Sequence, residues 1–365
     1  MKNFDIQLFI SIILISLIGI VMIYSSSNVW ADYKFADPFK YLKAQSLFFI
    51  IGLILIIIVS KIPYTNYLNK ANIILLVCFF LLILVLIPGI GTIRNGSRSW
   101  FGIGSLGIQP SEFMKLGLII FTAKYLSKNR KDLKIIKRGV FPILLISLLV
   151  FALIMLQPDL GTGVVIMMSI IGLLFISEVK TSFFTNIGII GIIGFIFLVA
   201  IAPYRIERIL SFINPWQDPL GSGFQSIQAL FSIGPGGLLG LGLGNSIQKH
   251  FYLPEPQTDF IFAIILEELG IVGALVICGL FLSIIISGFR IAFNTKDLFG
   301  KYLAFGITFQ ITFQALLNLM VVVGLIPVTG VTLPFLSYGG SSLLITMISM
   351  GILLNISRYQ EERLR

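Results

Sequence analysis

The sequence has few of the charged residues that soluble proteins expose. Only 12% of its 365 residues are charged, whereas 57% are apolar and the mean hydropathy is +1.00. Soluble globular domains carry about 25% charged residues, so this composition excludes a soluble globule. It indicates an integral membrane protein.

Cysteine and histidine are scarce as well. Cys78 and Cys278 both lie inside apolar runs, and His250 is the one histidine of the sequence. This excludes a disulfide framework and a metal site built from cysteine and histidine. We interpret the cysteines as packing residues and His250 as a surface residue of a loop.

Ten apolar segments of helical length follow one another along the chain. They predict an all-α polytopic membrane protein with ten transmembrane helices, in one domain over residues 1–365. The first segment lacks an Ala-x-Ala cleavage pattern, so we expect a retained helix and not a signal peptide. The segments cover residues 6–24, 45–60, 71–88, 111–127, 140–157, 162–177, 184–202, 260–287, 303–326 and 341–357.

The basic residues predict the orientation of these helices. The short loop 128–138 holds six Lys and Arg residues, the densest basic cluster of any short loop, and is therefore predicted to be cytoplasmic. With ten spans, both termini then lie in the cytoplasm too. The net charge of +10 has the same origin. No interleaving of basic and aromatic residues indicates a nucleic-acid partner.

The longest loop, 203–259, is predicted to be extracellular and too long for a simple connection. Its amphipathic piece 223–231 predicts an interfacial or re-entrant helix. The glycine-rich run 234–245 is neither preceded by a strand nor followed by Gly-Lys-Ser/Thr, which excludes a nucleotide-binding loop. We expect it to pack closely through its backbone.

Asp259 is the most unusual residue of this loop, because it stands where a polar loop meets an apolar span. A carboxylate at a membrane boundary is costly, which predicts a functional role. Asp159 is a second acidic residue at a predicted helix start on the same side. It either caps that helix or faces the same cavity as Asp259.

Cations and further polar residues accompany these carboxylates. Arg205 and Arg208, three residues apart, either bind a phosphate or pair with Glu207 or Asp218. Glu112 and Lys115, one helical turn apart, form either a structural ion pair or a substrate contact. For deeper polar residues we expect interhelical hydrogen bonds; these are Glu267, Glu268, Gln310, Gln314 and Asn318.

An outward cavity with one carboxylate and several cations suits few reactions, and transfer from a lipid diphosphate is one of them. The leaving diphosphate is already a stable anion, so one carboxylate suffices as base for the attacking hydroxyl. Cations stabilise the departing charge. The residues alone allow this reaction without selecting it over transport.

Six motifs in order resemble the SEDS family, which comprises the rod-shape protein RodA, the division protein FtsW and the sporulation protein SpoVE. The resemblance covers essentially the whole chain and is closest to the FtsW and SpoVE branch. One departure is Gln257, where relatives often carry histidine. The motifs occupy residues 95–100, 109–115, 157–162, 214–225, 252–262 and 325–342.

The resemblance implies a peptidoglycan glycosyltransferase that polymerises lipid II into β-1,4 glycan during division or spore cortex synthesis. It implies a class B penicillin-binding transpeptidase as partner, a multi-pass location in the bacterial plasma membrane and an extracellular active site. Asp259 matches the family's catalytic aspartate. A divalent cation, Mg²⁺ or Mn²⁺, is possible as cofactor. We expect substrate contacts from Trp100, Glu112, Lys115, Asp159, Arg205 and Arg208.

Two other functions remain open for such a chain. A ten-span fold with intramembrane acids also suits a lipid II flippase. A membrane scaffold that recruits the transpeptidase is the third alternative. The scaffold has no use for an outward carboxylate and its cations, so the enzyme is our leading hypothesis.

Overall fold

The computed structural model describes residues 4–94, 96–102 and 107–362. Within these residues the fold consists of twelve α-helices, one β-hairpin and three short 3₁₀ or π-helical segments, Arg130–Lys134, Ile136–Val140 and Pro215–Gln217. The helices are α1 Ile6–Phe35, α2 Lys40–Val59, α3 Thr65–Leu84, α4 Pro110–Lys128, α5 Phe141–Met155, α6 Leu160–Phe175, α7 Thr181–Ala200, α8 Pro203–Ile213, α9 Phe224–Gly236, α10 Ile261–Asn294, α11 Leu298–Val322 and α12 Gly340–Glu362. The hairpin pairs β1 Thr92–Arg94 with antiparallel β2 Ser97–Trp100.

The all-α polytopic membrane fold is confirmed. Each of the ten predicted segments lies on one helix, and eight helices of the described chain are long and apolar enough to cross a membrane. The predicted count of ten spans is not confirmed, because two helices miss these criteria. Helix α6 has only 16 residues. Helix α4 has 19 residues, four of them charged, and two of those four pair inside the protein.

The core lies between α4, α6, α11 and α12, whose apolar side chains are mostly buried. Helix α7 is at the other extreme, because Phe183 alone of its fully described residues is buried. A helix that is apolar all round and still exposed is suited to contact with lipid. The bundle therefore has a packed centre, and α7 stands at its margin.

The long loop 203–259 contains two helices. The predicted helix at 223–231 is confirmed as the first part of α9. Helix α8 is amphipathic and carries both Arg205 and Arg208; it was not predicted, because it is short and follows directly on α7.

The glycine-rich run packs backbone to backbone against a break in α10, as the sequence predicts. At the break, Gly270 has φ 65° and ψ −165°. Glu267 O accepts a hydrogen bond from Leu241 N at 2.9 Å, and Ile271 N donates to Gly237 O at 3.0 Å. The loop therefore bonds backbone groups on both sides of the break. A Cβ at position 270 would lie 2.4 Å from Gly240 N, which excludes any larger residue there.

The two glutamates of α10 are fully buried beside this break. Glu268 Oε2 accepts a hydrogen bond from Ser25 Oγ of α1 at 2.5 Å, which confirms an interhelical bond. The partners of Glu267 lie instead in the loop, where Ser246 Oγ donates at 2.5 Å and Ile247 N at 2.9 Å. Lys249 Nζ lies 3.4 Å from Glu268 Oε1. Both carboxylates thus fasten the loop to α10.

Candidate active site

Asp259 lies at one end of the helix bundle, directly before α10. Five helices have one end here: α4, α6, α10 and α12 begin at this end, and α11 ends at it. Contacts among their terminal residues show that these ends lie together. The carboxylate of Asp259 is half-buried. The end of the bundle that carries Asp259 is called the Asp259 end below.

The surroundings of Asp259 change its acidity. Burial raises the pKa of its carboxyl to about 6, and the negative charges of Glu255 and Asp159 act in the same direction. The positive charge of Arg208 lowers the pKa. A carboxyl group with a pKa near 6 is ionised at neutral pH and is a stronger base than an ordinary aspartate, which suits proton abstraction.

Asp159 fulfils the first of the roles left open by the sequence, the cap of α6, and it also acts electrostatically on Asp259. Its Oδ1 accepts a hydrogen bond from Thr162 N at 3.0 Å and caps α6. Its Oδ2 accepts one from Gln109 Nε2 at 3.3 Å. Burial raises the pKa of Asp159, and its charge also acts on Asp259. The two carboxylates therefore share one electrostatic environment.

Glu112 and Lys115 form the predicted ion pair. Their Oε1 and Nζ atoms are 2.8 Å apart, and their side chains are only 7% and 3% exposed. Lys115 Nζ also donates to Gln314 Oε1 of α11 at 2.9 Å. Gln314 in turn donates to Thr332 O at 2.9 Å. This buried chain of polar contacts joins α4 and α11 to the segment that follows α11.

Arg205 and Arg208 have different surroundings, although they are three residues apart. Arg205 is buried, and its guanidinium donates to Leu198 O at 2.8 Å and to Tyr204 Oη at 2.9 Å. It therefore holds the end of α7 and is not among the charges that act on Asp259. Its predicted contact with substrate stays a prediction.

Arg208 is exposed and bonds the segment that follows α11. Its Nη1 donates to Val328 O at 3.3 Å, and its charge acts on the Asp259 carboxyl. In the described part of the chain, no ion pair joins either arginine to Glu207 or Asp218. Arg208 borders a groove of ≈ 390 Å³, whose other walls include Tyr204, Ser222, Gln225, Pro254 and Val328.

Trp100 is half-buried in the β-hairpin between α3 and α4. The guanidinium of Arg94 lies over its ring, 4.8 Å from the centroid. Ser97 Oγ donates to Gln157 O, which places the hairpin against the turn that carries Asp159. Trp100 thus belongs to the Asp259 end. Asn95, the first residue of this motif, lies outside the described residues.

Three contacts near Asp259 were not predicted from the sequence, which assigned Asn318 an interhelical hydrogen bond in place of the bonds to loop carbonyls that it makes. Asn318 Nδ2 donates to Asp259 O at 2.8 Å, and Ser337 Oγ donates to Thr258 O at 2.6 Å. A Cβ on Gly330 would lie 3.7 Å from Asp259 Oδ2. The motif 325–342 marked this segment as unusual but did not indicate that it packs on Asp259.

The described residues hold no cluster of three or more His, Cys, Asp or Glu side chains, the types that most often bind a metal ion. Mg²⁺ is usually held by one or two carboxylates together with substrate phosphates. A cation that arrives with a diphosphate substrate therefore stays a prediction, and no chemical step is assigned to it.

Comparison with known proteins relates this arrangement to one family. A family model for cell cycle proteins of the FtsW, RodA and SpoVE type matches residues 5–362. The sequence is 53% identical over 355 residues to stage V sporulation protein E of Bacillus subtilis (strain 168), with 97% of each chain covered. It is 40% identical over 356 residues to a Geobacter sp. (strain M18) protein named probable peptidoglycan glycosyltransferase FtsW, with 98% of this chain and 97% of the relative covered.

Solved structures show the same similarity of fold. A chain of a peptidoglycan synthase complex, solved to explain how polymerization and crosslinking are coordinated, superposes with a TM-score of 0.80 at 30% identity, covering 99% of both chains. The rod shape determining protein RodA of Thermus thermophilus gives a TM-score of 0.73 at 28% identity, covering 98% of both chains. The similarity therefore includes the Asp259 end as well as the helices.

Proposed function

This chain belongs to the FtsW, RodA and SpoVE family of cell cycle proteins, and we propose that it is a peptidoglycan glycosyltransferase that polymerises lipid II into β-1,4 glycan strands. The names of its relatives support this activity. The single observation that carries the proposal is Asp259, a half-buried carboxylate with a pKa near 6 on which the charge of an exposed arginine acts.

Asp259 is the general base of the proposed reaction. Its carboxylate takes the proton of the 4-hydroxyl of the acceptor GlcNAc as that oxygen attacks C1 of the donor MurNAc. The C1–O bond to the diphosphate breaks, and undecaprenyl diphosphate leaves with the bonding electron pair. Attack from the opposite face inverts C1 and gives the β-1,4 linkage. No acid is needed, because the leaving group is a stable anion.

Arg208 is the cation best suited to the departing diphosphate. Arg208 is exposed and its charge acts on Asp259, whereas Arg205 donates to Leu198 and Tyr204. Lys115 is already neutralised by Glu112. A guanidinium binds a phosphate through two parallel hydrogen bonds, which favours Arg208 for this role. For Trp100, Glu112, Lys115 and Asp159, which lie at the Asp259 end, we propose a contribution to substrate binding.

The proposed orientation has the Asp259 end outside the plasma membrane and both termini in the cytoplasm. Asp259 lies near the first turn of α4, whereas the basic loop 128–138 follows its last turn. A helix rises 1.5 Å per residue, so 19 residues place these features about 28 Å apart. This is about the thickness of a bilayer core, and the positive-inside rule then assigns the basic loop to the cytoplasm.

The proposed partners are lipid II, the growing lipid-linked glycan and a class B penicillin-binding transpeptidase, with other division or sporulation proteins. A structural relative works within a complex that coordinates polymerization with crosslinking, which supports a transpeptidase partner. The 53% identity to a sporulation protein and 40% identity to a division protein support wall synthesis in one of these two settings.

Polymerisation by the purified protein tests the proposed function. We expect labelled lipid II to be converted into glycan strands that a muramidase digests, both in detergent and with the transpeptidase present. In proteoliposomes, dithionite-accessible movement of labelled lipid II without any polymer would instead identify a flippase. Absence of both activities, together with growth supported by an Asp259 variant, would identify a scaffold.

A parallel polymerisation assay in EDTA, with Mg²⁺ or Mn²⁺ restored, decides whether a divalent cation takes part.

The rate of polymerisation is expected to fall as the pH falls through about 6. Asp259 accepts a proton only when its carboxyl is ionised, and burial raises its pKa to about 6. Below that pH, each further unit lowers the rate about tenfold.

Glu255→Gln removes a charge that raises this pKa and moves the acid limb to lower pH. Arg208→Gln removes a charge that lowers it and moves the limb to higher pH. The measurement is the initial rate of the wild type, Glu255→Gln and Arg208→Gln across the pH range around 6. If the acid limbs of the three proteins coincide, the assignment of Asp259 as the base is contradicted.

A further inference from the structure

Three consecutive backbone carbonyls at the active site accept hydrogen bonds from one region of the chain. They belong to the segment 257–259, which ends at the catalytic residue. The donors lie at the end of α11 and in the connection from α11 to α12. The bonds are Tyr338 N to Gln257 O at 2.8 Å, Ser337 Oγ to Thr258 O at 2.6 Å and Asn318 Nδ2 to Asp259 O at 2.8 Å. We call these three bonds the carbonyl staple.

The carbonyl staple is partly shielded from water. Gln257, Asn318 and Ser337 are 2%, 1% and 5% exposed, whereas Thr258 and Asp259 are half-buried. A backbone carbonyl that loses its donor away from water costs free energy, so these bonds stabilise the segment locally. Three in succession leave the backbone before α10 little freedom to move. The position of the carboxylate is therefore fixed from the side of α11.

Asn318 uses both hydrogens of its amide group in this arrangement. One is donated to Asp259 O at 2.8 Å and the other to Val331 O at 2.7 Å. The amide thus bridges two carbonyls from different segments. Leucine of similar size has no donor, and aspartate would place a second acceptor against two carbonyls. The amide of Asn318 therefore supplies both donors of this bridge.

Ser337 makes a second bridge between the same two segments. Its hydroxyl donates to Thr258 O at 2.6 Å and accepts from Leu333 N at 2.8 Å. Gly330 lies in the connection that Asn318 and Ser337 hold, and its Cβ position is 3.7 Å from Asp259 Oδ2. The two bridges therefore set the backbone that carries Asp259 and the wall beside its carboxylate.

We propose that Asn318 and Ser337 are positioning residues for Asp259, which hold its carboxylate where it takes the proton of the acceptor hydroxyl. The inference rests on the proposed function. Misplacing a catalytic group by about 1 Å costs about 10²-fold in rate. Neither side chain touches the reacting atoms, so loss of either affects turnover more than binding.

Kinetics of lipid II polymerisation test the functional half of this proposal. We expect kcat to fall about 10- to 100-fold in Asn318→Leu and Ser337→Ala, with KM unchanged within about twofold. Ser337→Thr keeps the hydroxyl and is expected to retain most of kcat. Gln310→Leu is the matched control, because Gln310 is a buried amide on the same face of α11, two turns from Asn318, and bonds none of the three carbonyls. Its kcat is expected to stay near that of the wild type.

Hydrogen exchange of the same proteins tests the structural half without any need for activity. The amides of Leu333 and Tyr338 donate within this arrangement. We expect peptides that cover 331–343 to exchange faster in Asn318→Leu and Ser337→Ala, with unchanged exchange in α3. This readout stays valid if the wild type makes no polymer, which separates failure of this proposal from failure of the proposed function.

The outcomes are distinct. Accelerated exchange with loss of kcat and recovery in Ser337→Thr supports positioning. Accelerated exchange with wild-type kcat overturns it. A loss of kcat that is fully explained by a smaller fraction of folded protein also overturns it. If Asn318→Leu does not fold, Ser337→Ala decides alone, because it removes one oxygen atom and leaves the other two bonds in place. Unchanged exchange in Ser337→Ala also overturns the proposal.

Discussion

Asp259→Asn is expected to polymerise lipid II about 10²- to 10⁴-fold more slowly than the wild type, which is the usual contribution of a general base. The asparagine amide has nearly the same shape but cannot take a proton at neutral pH. The backbone bonds to Asp259 O are unaffected, because they involve the carbonyl and not the side chain. Steady-state rates with purified lipid II measure the effect, and KM is expected to change little.

Asp32→Asn provides the control for this experiment. Asp32 is an exposed carboxylate in the last turns of α1, at the same end of the bundle. It is not among the charges that act on Asp259. Its substitution is expected to leave the rate unchanged. Polymerisation by Asp259→Asn within a factor of a few of the wild type would rule out the base assignment.

Lys115→Met is expected to have the largest effect on stability. It leaves Glu112 as a buried charge without its partner, which typically costs about 3–5 kcal/mol. It also removes the donor to Gln314 Oε1. The double variant Glu112→Gln, Lys115→Met has no unpaired charge, so it is expected to recover most of the loss. Thermal unfolding in detergent, compared among wild type, single and double variants, measures both effects.

An exposed ion pair of the same chemistry serves as the control. Lys43 Nζ and Asp37 Oδ2 are 2.9 Å apart, but their side chains are 68% and 36% exposed. Surface ion pairs contribute about 0–1 kcal/mol to stability. Lys43→Met is therefore expected to leave the midpoint of thermal unfolding nearly unchanged. Equal shifts for Lys43→Met and Lys115→Met, or no recovery in the double variant, would contradict the role assigned to burial.

Features that depend on near neighbours in sequence could be predicted. Each of the ten apolar runs coincides with one helix of the structure, since length and hydropathy are local properties. The pair Glu112 and Lys115 needs only one helical turn, and the cap formed by Asp159 only three residues. The glycine-rich run predicted close backbone packing for a similar reason, because a missing side chain is visible in the sequence itself.

Features that depend on distant residues could not be predicted. Asn318 is 59 residues from Asp259, and Ser337 is 79 residues from Thr258. Nothing local indicates that an amide in an apolar helix reaches a carbonyl so far away. Arg205 and Arg208 looked equivalent for the same reason. Only the folded structure shows that Arg205 bonds the end of α7 whereas the charge of Arg208 acts on Asp259. The charge of Lys115 in α4 is likewise explained only by the structure, because its partner Gln314 lies on α11.

The break in α10 has a consequence for how the protein is made. A lone α10 in hydrocarbon would expose the groups freed by the break, Glu267 O and Ile271 N among them, and each unbonded group costs several kcal/mol there. Their partners come from residues 237–242, which leave the ribosome before α10. We therefore expect the translocon to release α10 into lipid only after this preceding segment has folded onto it, so that the two enter the bilayer as one unit.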